Sequence, residues 1–304
     1  MARASAQGRT TELGASPPAT ARRRRPRLGR WLGVVPFFVY ASIFLLIPTA
    51  EIIIQAFRTY AGAFTLDNIK SLWDPQTLNA FETTIKISLI TAIAGGLFGL
   101  FVAQAAMHDQ APAWLRPILT TFSGVASNFA GIPLAFAFIA TLGTTGVVTQ
   151  LLEHVGLNPY SHGFTIYGWV GLSLTYIYFQ FPLMILIITP SIEGIRKEWR
   201  EAAVSLGATP RHFWWHVGLP LLLPSLLGAM VLLFGNAFSA YATPYALSSG
   251  YINLVPLMIG EVLNGDLAFQ PQLGYALAFG MIVVMAAAIV IYALLQRRTA
   301  KWLR

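Results

Sequence analysis

The chain has 304 residues, a mean hydropathy of +0.62 and only 11% charged residues. A soluble domain of this size needs more charge on its surface, so the composition excludes an ordinary soluble protein and predicts a membrane protein. The formal net charge of +8 follows from membrane orientation, as argued below, and gives no reason to expect nucleic acid as a partner. The sequence contains no cysteine, which excludes disulfides, thiolate nucleophiles and cysteine metal sites.

Six apolar stretches are long enough to cross a bilayer. A spanning helix needs about 20 mostly apolar residues, because a helix satisfies its own backbone polar groups where water is absent. None of the stretches alternates apolar and polar residues in the manner of barrel strands. The sequence therefore predicts an all-α polytopic membrane protein with six transmembrane helices, at residues 31–57, 83–107, 118–142, 164–189, 217–241 and 273–295.

The Lys and Arg residues predict how these helices are oriented. If the N-terminus is cytoplasmic, seventeen of the 20 Lys and Arg residues lie inside and only Arg58, Lys70 and Lys86 lie outside. This is a strong positive-inside bias, which predicts that both termini lie in the cytoplasm and that basic residues lie against lipid headgroups. Residues 1–30, rich in Arg, Ala and Pro, are predicted to be a disordered basic leader that precedes a transmembrane domain at 31–304.

Motifs for chemistry are missing. The sequence has no GxxxxGK[ST] phosphate loop, no HExxH and no GxSxG, so it predicts no ATP hydrolysis by this chain and no hydrolytic site. His212 and His216 lie four residues apart and could share a helix face as metal ligands, but no third ligand is nearby. Trp214 and Trp215 between them favour an interfacial helix. We therefore predict that the chain is not an enzyme and carries no cofactor or metal.

Two predicted spans each carry a polar pair. Tyr176 and Gln180 are four residues apart, and Asn236 and Ser239 are three apart, so each pair shares one helix face. If the two faces meet, the four residues line a translocation path, whose aromatic groups suit an organic cation. The alternative for Gln180 and Asn236 is a hydrogen bond between packed helices, and both interpretations remain open.

Other span residues have simpler explanations. Asn128 is expected to make a helix-to-helix hydrogen bond, and Glu51 to be solvated near the outer membrane boundary. Leu186 and Leu232 are expected to face lipid. Small residues on the second span predict close packing against another helix, and they are Gly95, Gly96 and Gly99.

The largest loop predicts a rigid projection from the membrane. A helix from Lys197 to Leu206 has good propensity and ends at Gly207. Thr209 is then a natural N-cap with Pro210 at the first helical position, so a second short helix begins at once and continues towards the fifth span. A helix, a sharp turn and a helix would pass a partner's movement to the spans. The alternative is a loop that only lies on the headgroups.

This segment resembles the EAA loop of ABC-importer permeases, also called binding-protein-dependent transport system inner-membrane components. The match is Glu201-Ala202-Ala203, three residues, Gly207, nine residues and then Val217-Gly218-Leu219-Pro220, with Val in place of the usual Ile. The resemblance implies a coupling loop at 198–220 that docks on a separate ATPase subunit, which binds the ATP. It also implies a second permease subunit and an extracytoplasmic substrate-binding protein as partners.

The resemblance assigns a role to each loop residue. Glu201 is expected to make the anchoring charged contact, Ala202 and Ala203 to allow close approach, and Gly207 to form the turn. The motif ends with Leu219 and Pro220, and the resemblance assigns this pair to ATPase coupling as well.

The substrate is the weaker inference. The stretch NAFSAYATPYALSSG at 236–250 resembles spermidine and putrescine permeases, which implies a polyamine; phosphonate, ferric iron and sugar remain alternatives for the same machinery. Outward acids exceed outward bases, which suits a cation, although the positive-inside rule leaves the same excess. A secondary transporter or channel subunit is the rival class. It would be expected to show repeat symmetry or charges at mid-membrane.

Overall fold

The computed structural model describes residues 33–108, 111–248, 250–264 and 271–300. The predicted disordered leader, 1–30, lies outside the described residues. In the part that is described, the backbone is helical apart from turns, short loops and one isolated antiparallel bridge between Arg58 and Phe64. The chain divides at Ala50 into two units.

Helix α1 (Val35–Ala56) begins in the first unit and ends in the second. It contains one π turn, Ser42–Leu46, in which the N–H of Ile47 donates to the carbonyl of Ser42, five residues back. Pro48 follows directly and has no N–H to donate, which interrupts the regular ladder of hydrogen bonds at this point. Between residues 33 and 50 every side chain is at least partly exposed, and most are apolar, as expected of a helix that contacts lipid.

The second unit holds the other helices. We number them in chain order: α2 (Asp67–Lys70), α3 (Pro75–Ala106), α4 (Leu115–Asn128), α5 (Ile132–Leu142), α6 (Val147–His154), α7 (Trp169–Glu193), α8 (Lys197–Ser205), α9 (Pro210–Phe238), α10 (Ala242–Ser248), α11 (Val255–Asn264) and α12 (Pro271–Ala300). Six segments of the described residues are long and apolar enough to cross a membrane, which confirms the predicted all-α fold with six spans.

The third predicted span, 118–142, is not one continuous helix. Its residues form α4 and α5, which are separated by residues 129–131. Gly131 has a φ of +74°, a left-handed conformation that glycine adopts readily, and Pro133 follows within the first turn of α5. By length and composition, the candidate span here runs from Ile132 to His154, through α5 and α6. The prediction of a straight helix is therefore corrected to a broken one.

Helices α3 and α7 form the most extensive helix contact in the second unit. They run parallel, and glycine residues of α3 lie against α7. A Cβ atom added to Gly95 would lie 2.6 Å from Cβ of Gln180, and one added to Gly99 would lie 2.5 Å from the carbonyl oxygen of Phe181. Such distances leave room only for hydrogen, so the helices approach through their backbones. The predicted close packing at Gly95, Gly96 and Gly99 is confirmed.

One end of the second unit collects basic side chains. Arg116 at the start of α4 pairs with Glu193 at the end of α7, so α4 and α7 run in opposite directions. Helices α9 and α12 are also antiparallel, because Gly228 lies against Tyr292 while Gly235 lies against Met285. The ends of α3 and α7, the starts of α4 and α9, helix α8 and the last turns of α12 therefore lie together. We call this the basic end.

Candidate coupling surface and transport path

The loop between α7 and α9 forms the predicted helix, turn and helix. Helix α8 ends at Ser205, and Gly207 has a φ of +79°. The N–H of Ala208 then donates to the carbonyl of Ala203 over 2.9 Å, which closes the helix end in the pattern typical of glycine caps. Thr209 caps the next helix by accepting from the N–H of His212 at 3.3 Å, with Pro210 at the first position. The predicted local structure is confirmed.

The surface of α8 is available to a partner. Glu201 and Ala202 are exposed, and the Glu201 carboxylate forms no ion pair with any residue that the structure describes. Two apolar side chains are also exposed, with Val204 at 58% and Leu206 at 89% of their full areas. Exposed apolar groups beside a charged one are typical of an interaction surface. Ala203 is half-buried and lies further from solvent.

Leu219 and Pro220 do not lie on this exposed tip. Both are half-buried, beyond a π turn at Trp214–Gly218 in which the N–H of Leu219 donates to the carbonyl of Trp214. Pro220 lacks an N–H, so the wider turn precedes it for the same reason as in α1. The pair positions the junction between the loop and the membrane part of α9, rather than contributing directly to the exposed surface.

The histidine pair shows no metal geometry. The rings of His212 and His216 stack with centroids 4.0 Å apart, and Nδ1 of His216 lies 3.0 Å from the carbonyl oxygen of His212. Among the described residues, no group of three or more possible metal-ligating side chains occurs. Stacking along an exposed helix face accounts for both side chains.

Gln180 lies inside the bundle, fully buried. In the amide orientation that satisfies its surroundings, its nitrogen donates to the carbonyl of Leu233 at 3.1 Å, and its oxygen faces the Thr91 hydroxyl at 3.1 Å and the N–H of Ala92 at 3.2 Å. The side chain thus links α3, α7 and α9. Tyr176, one turn earlier, is 2% exposed. The structure favours the hydrogen-bond alternative for Gln180.

Asn236 and Ser239, in contrast, are exposed at the end of α9. The structure therefore does not bring the four predicted path residues onto one surface. Leu232 is 60% exposed and precedes Asn236 by four residues, so it shares the face of Asn236. The exposure of Leu232 agrees with the expected lipid-facing position, but Leu232 does not lie on a face separate from that of Asn236.

A second polar feature adjoins this region and was missed. The N–H of Gly131, in the break between α4 and α5, donates to the hydroxyl of Thr243 on α10 at 2.9 Å. Asn128, at the last position of α4, is exposed and donates to the carbonyl of Gly124 in its own helix at 2.8 Å. The helix-to-helix hydrogen bond expected for Asn128 is therefore replaced by one within α4. Thr120 and Asn128 lie eight residues apart on the same face of α4, with Gly124 between them, a spacing that was visible in the sequence.

Solved structures of transporters share this fold. The chain of a bacterial ABC transporter involved in the import of the acidic polysaccharide alginate superposes with a TM-score of 0.71 at 16% identity, over 89% of this chain and 96% of that one. At this identity the likeness shows the fold alone.

Two curated relatives are permeases for sulfate and for thiamine. The sulfate transport system permease protein CysW of Synechococcus elongatus is 26% identical over 266 residues, which cover 86% of this chain and 88% of that protein. The thiamine transport system permease protein ThiP of Salmonella typhimurium is 24% identical over 92% of this chain but 49% of its own length. The resemblance to spermidine and putrescine permeases is not supported.

Residues 95–301, more than half of the chain, match the family described as binding-protein-dependent transport system inner membrane component. The match covers α4 to α12, including the loop with Glu201 and Gly207 and the polar faces of α4 and α9. A protein of this family is a membrane permease and not an enzyme. The chain belongs to the family of binding-protein-dependent transport system inner membrane components.

Proposed function

We propose that this ABC-importer permease subunit carries sulfate or a similar tetrahedral oxyanion. In the proposed assembly it works with a second permease subunit, ATPase subunits that bind the ATP, and a substrate-binding protein on the opposite side of the bacterial inner membrane. The basic end faces the cytoplasm, as the positive-inside rule favours. The similarity to CysW over most of both chains is the observation that carries the substrate proposal.

The exposed surface of α8 supports docking on an ATPase. Glu201 offers a charge, Ala202 a small contact, and Leu206 an apolar side chain that is 89% exposed. An apolar group of this size gains when a partner removes it from water. Gly207 and the Thr209 cap hold α8 at a fixed angle to α9, so a displacement of the docked subunit moves the fifth span.

The chemistry of the spans supports an anion over a polyamine. The helices α4, α5, α9 and α10 contain no Asp or Glu, whereas a polyamine carries several positive charges that need carboxylates along its path. Exposed amide and hydroxyl groups donate hydrogen bonds, as an oxyanion requires. Asn128 and Asn236 supply such amide groups, whereas the Ser239 hydroxyl donates its proton to the carbonyl of Gly235 at 2.8 Å.

The path is accordingly proposed along these neutral side chains. Asn236 and Ser239 keep the role inferred from the sequence, and Asn128 joins them. Tyr176 and Gln180 stand behind the path in this conformation, where they hold α7 against α3 and α9.

Uptake by the purified transporter tests the substrate. The complex of this chain with its partner subunits is placed in vesicles that contain ATP, and the binding protein is added outside with radiolabelled sulfate, thiamine or spermidine. We expect ATP-dependent accumulation of sulfate alone, because only the anion matches the neutral path. Vesicles with a non-hydrolysable ATP analogue are the control. Accumulation of thiamine or spermidine without sulfate would contradict the proposal.

A further inference from the structure

A cavity of about 730 Å³ lies at the basic end. It is a partly open cavity, bordered by the end of α3, the start of α4, the end of α7 and the first turn of α8. Six side chains of fixed charge line it, and they are Arg116, Glu193, Arg196, Lys197, Glu198 and Arg200. A cavity of this size accommodates a bound molecule rather than a few waters.

The charge of this cavity favours an anion. The Arg116 guanidinium pairs with the Glu193 carboxylate, and Arg196 and Lys197 stand beside Glu198 in the lining. The guanidinium of Arg196 also lies 5.9 Å from the ring centre of Trp199, which holds that side chain beside the cavity. Guanidinium and ammonium groups together are the usual partners of phosphate.

An apolar groove of about 500 Å³ continues from the cavity along α3. The two share four lining residues, which are Gln104, His108, Ala111 and Trp214. The groove adds Phe101 and Ala105, which are four residues apart on the same exposed face of α3, with Phe101 64% exposed. This face belongs to a membrane-crossing segment, so the groove runs from the basic end into the apolar part of the bilayer.

We propose that the cavity and the groove together bind one anionic glycerophospholipid. Its phosphate lies near Arg196 and Lys197, and one acyl chain lies along Phe101 and Ala105. A soluble anion, or an acidic segment of an ATPase, would leave the apolar groove without an occupant. Basic pockets between membrane helices are typical sites for anionic headgroups.

Native mass spectrometry of the full chain in detergent tests the proposal with phosphatidylglycerol and phosphatidylcholine as probes. We expect wild-type protein to retain one phosphatidylglycerol in preference to phosphatidylcholine. Arg196→Gln with Lys197→Gln should weaken that retention by about tenfold or more, because two cations near the phosphate are lost. The matched control is Arg211→Gln, which removes an exposed cation at the same end that does not line the cavity.

A second variant tests the groove without altering charge. Ala105→Trp fills it, and should displace phosphatidylglycerol while leaving the cations in place. Circular dichroism and thermal unfolding of each variant show that the fold is kept. If Arg211→Gln lost as much lipid as Arg196→Gln with Lys197→Gln, the retention would depend only on the overall surface charge. That result would overturn the proposal.

Two further measurements distinguish a bound lipid from other occupants of the cavity. Competition by glycerol 3-phosphate as effective as that by phosphatidylglycerol would make this a site for a soluble anion. Loss of the ATPase subunit from Arg196→Gln with Lys197→Gln, with lipid retained, would make it an ATPase contact. Either result overturns the proposal. The proposal uses the proposed orientation only to place the lipid in the inner leaflet, so a failure of sulfate uptake would leave the lipid result unaffected.

Discussion

Gly99 shows how one absent side chain determines the packing of two helices. An added Cβ would lie 2.5 Å from the carbonyl oxygen of Phe181 and 2.7 Å from Cβ of Met184. Both neighbours belong to the backbone or to its first side-chain atom, so neither can move without moving α7. The contact between α3 and α7 therefore depends on glycine at this position.

We expect Gly99→Ala to destabilise the protein. The overpacking costs about 1–3 kcal/mol, and the higher helix propensity of Ala offsets at most about 1 kcal/mol of it. Thermal unfolding of the purified protein measures the change. Gly124→Ala is the control, because an added Cβ there meets no atom within 4 Å. Equal melting temperatures for the two variants would show that the close approach is not needed.

Gln180 and Asn236 show what residue patterns leave undetermined. Helical spacing predicts correctly that Tyr176 and Gln180 share one face, but spacing alone does not say whether that face meets another helix or an open surface. The answer depends on Thr91 and Leu233, which come from distant parts of the chain. The sequence could therefore predict the polar stripe and could not predict its burial.

At the scale of the element, the loop with α8 was the most predictable part of the fold. Gly207, Thr209 and Pro210 act through local backbone geometry, which the sequence specifies within a few residues. The break in the third span was equally local, with Gly131 and Pro133 as its signals. The continuous apolar composition of this span nevertheless favoured one helix. The hydrogen bond from Gly131 in the break goes to Thr243, which is 112 residues further along the chain.

Gly207→Val is expected to disrupt the contact through which the ATPase drives transport. No atom lies within 4 Å of an added Cβ at Gly207, so the effect comes from the backbone alone. A β-branched residue at a φ of +79° costs about 1–2 kcal/mol, and relief of that strain would reorient α8. Sulfate-stimulated ATPase activity and uptake should both fall, while membrane insertion remains.

Gly207→Asn is the matched control for that experiment, because Asn adopts the left-handed conformation more readily than other residues with a side chain. It should retain most of the uptake. Wild-type coupling in Gly207→Val, or equal loss in both variants, would contradict the assigned role of the turn.

At the scale of the whole molecule, composition alone predicted the class and the six spans, because lipid requires long apolar helices. The substrate was not predictable in the same way. The excess of outward acids that suggested a polyamine follows equally from the positive-inside rule. The absence of carboxylates from α4, α5, α9 and α10 supports the proposed anion more specifically, but this argument needs the exposed polar faces, which the sequence alone does not show.

Cysteine substitution tests the proposed path in this naturally cysteine-free chain. We expect Asn128→Cys and Asn236→Cys in the assembled transporter to react with a small water-soluble thiol reagent, at rates that change with ATP, because a path opens to water alternately. Gln180→Cys should stay inert in every nucleotide state, since position 180 is fully buried between three helices. Val290→Cys is the control for an exposed apolar face, at 56% exposure, and should also react slowly because a thiolate does not form in lipid. Fast reaction at Gln180→Cys would show that position 180 lines the path. Inert cysteines at positions 128 and 236 would show that the path does not follow these faces of α4 and α9.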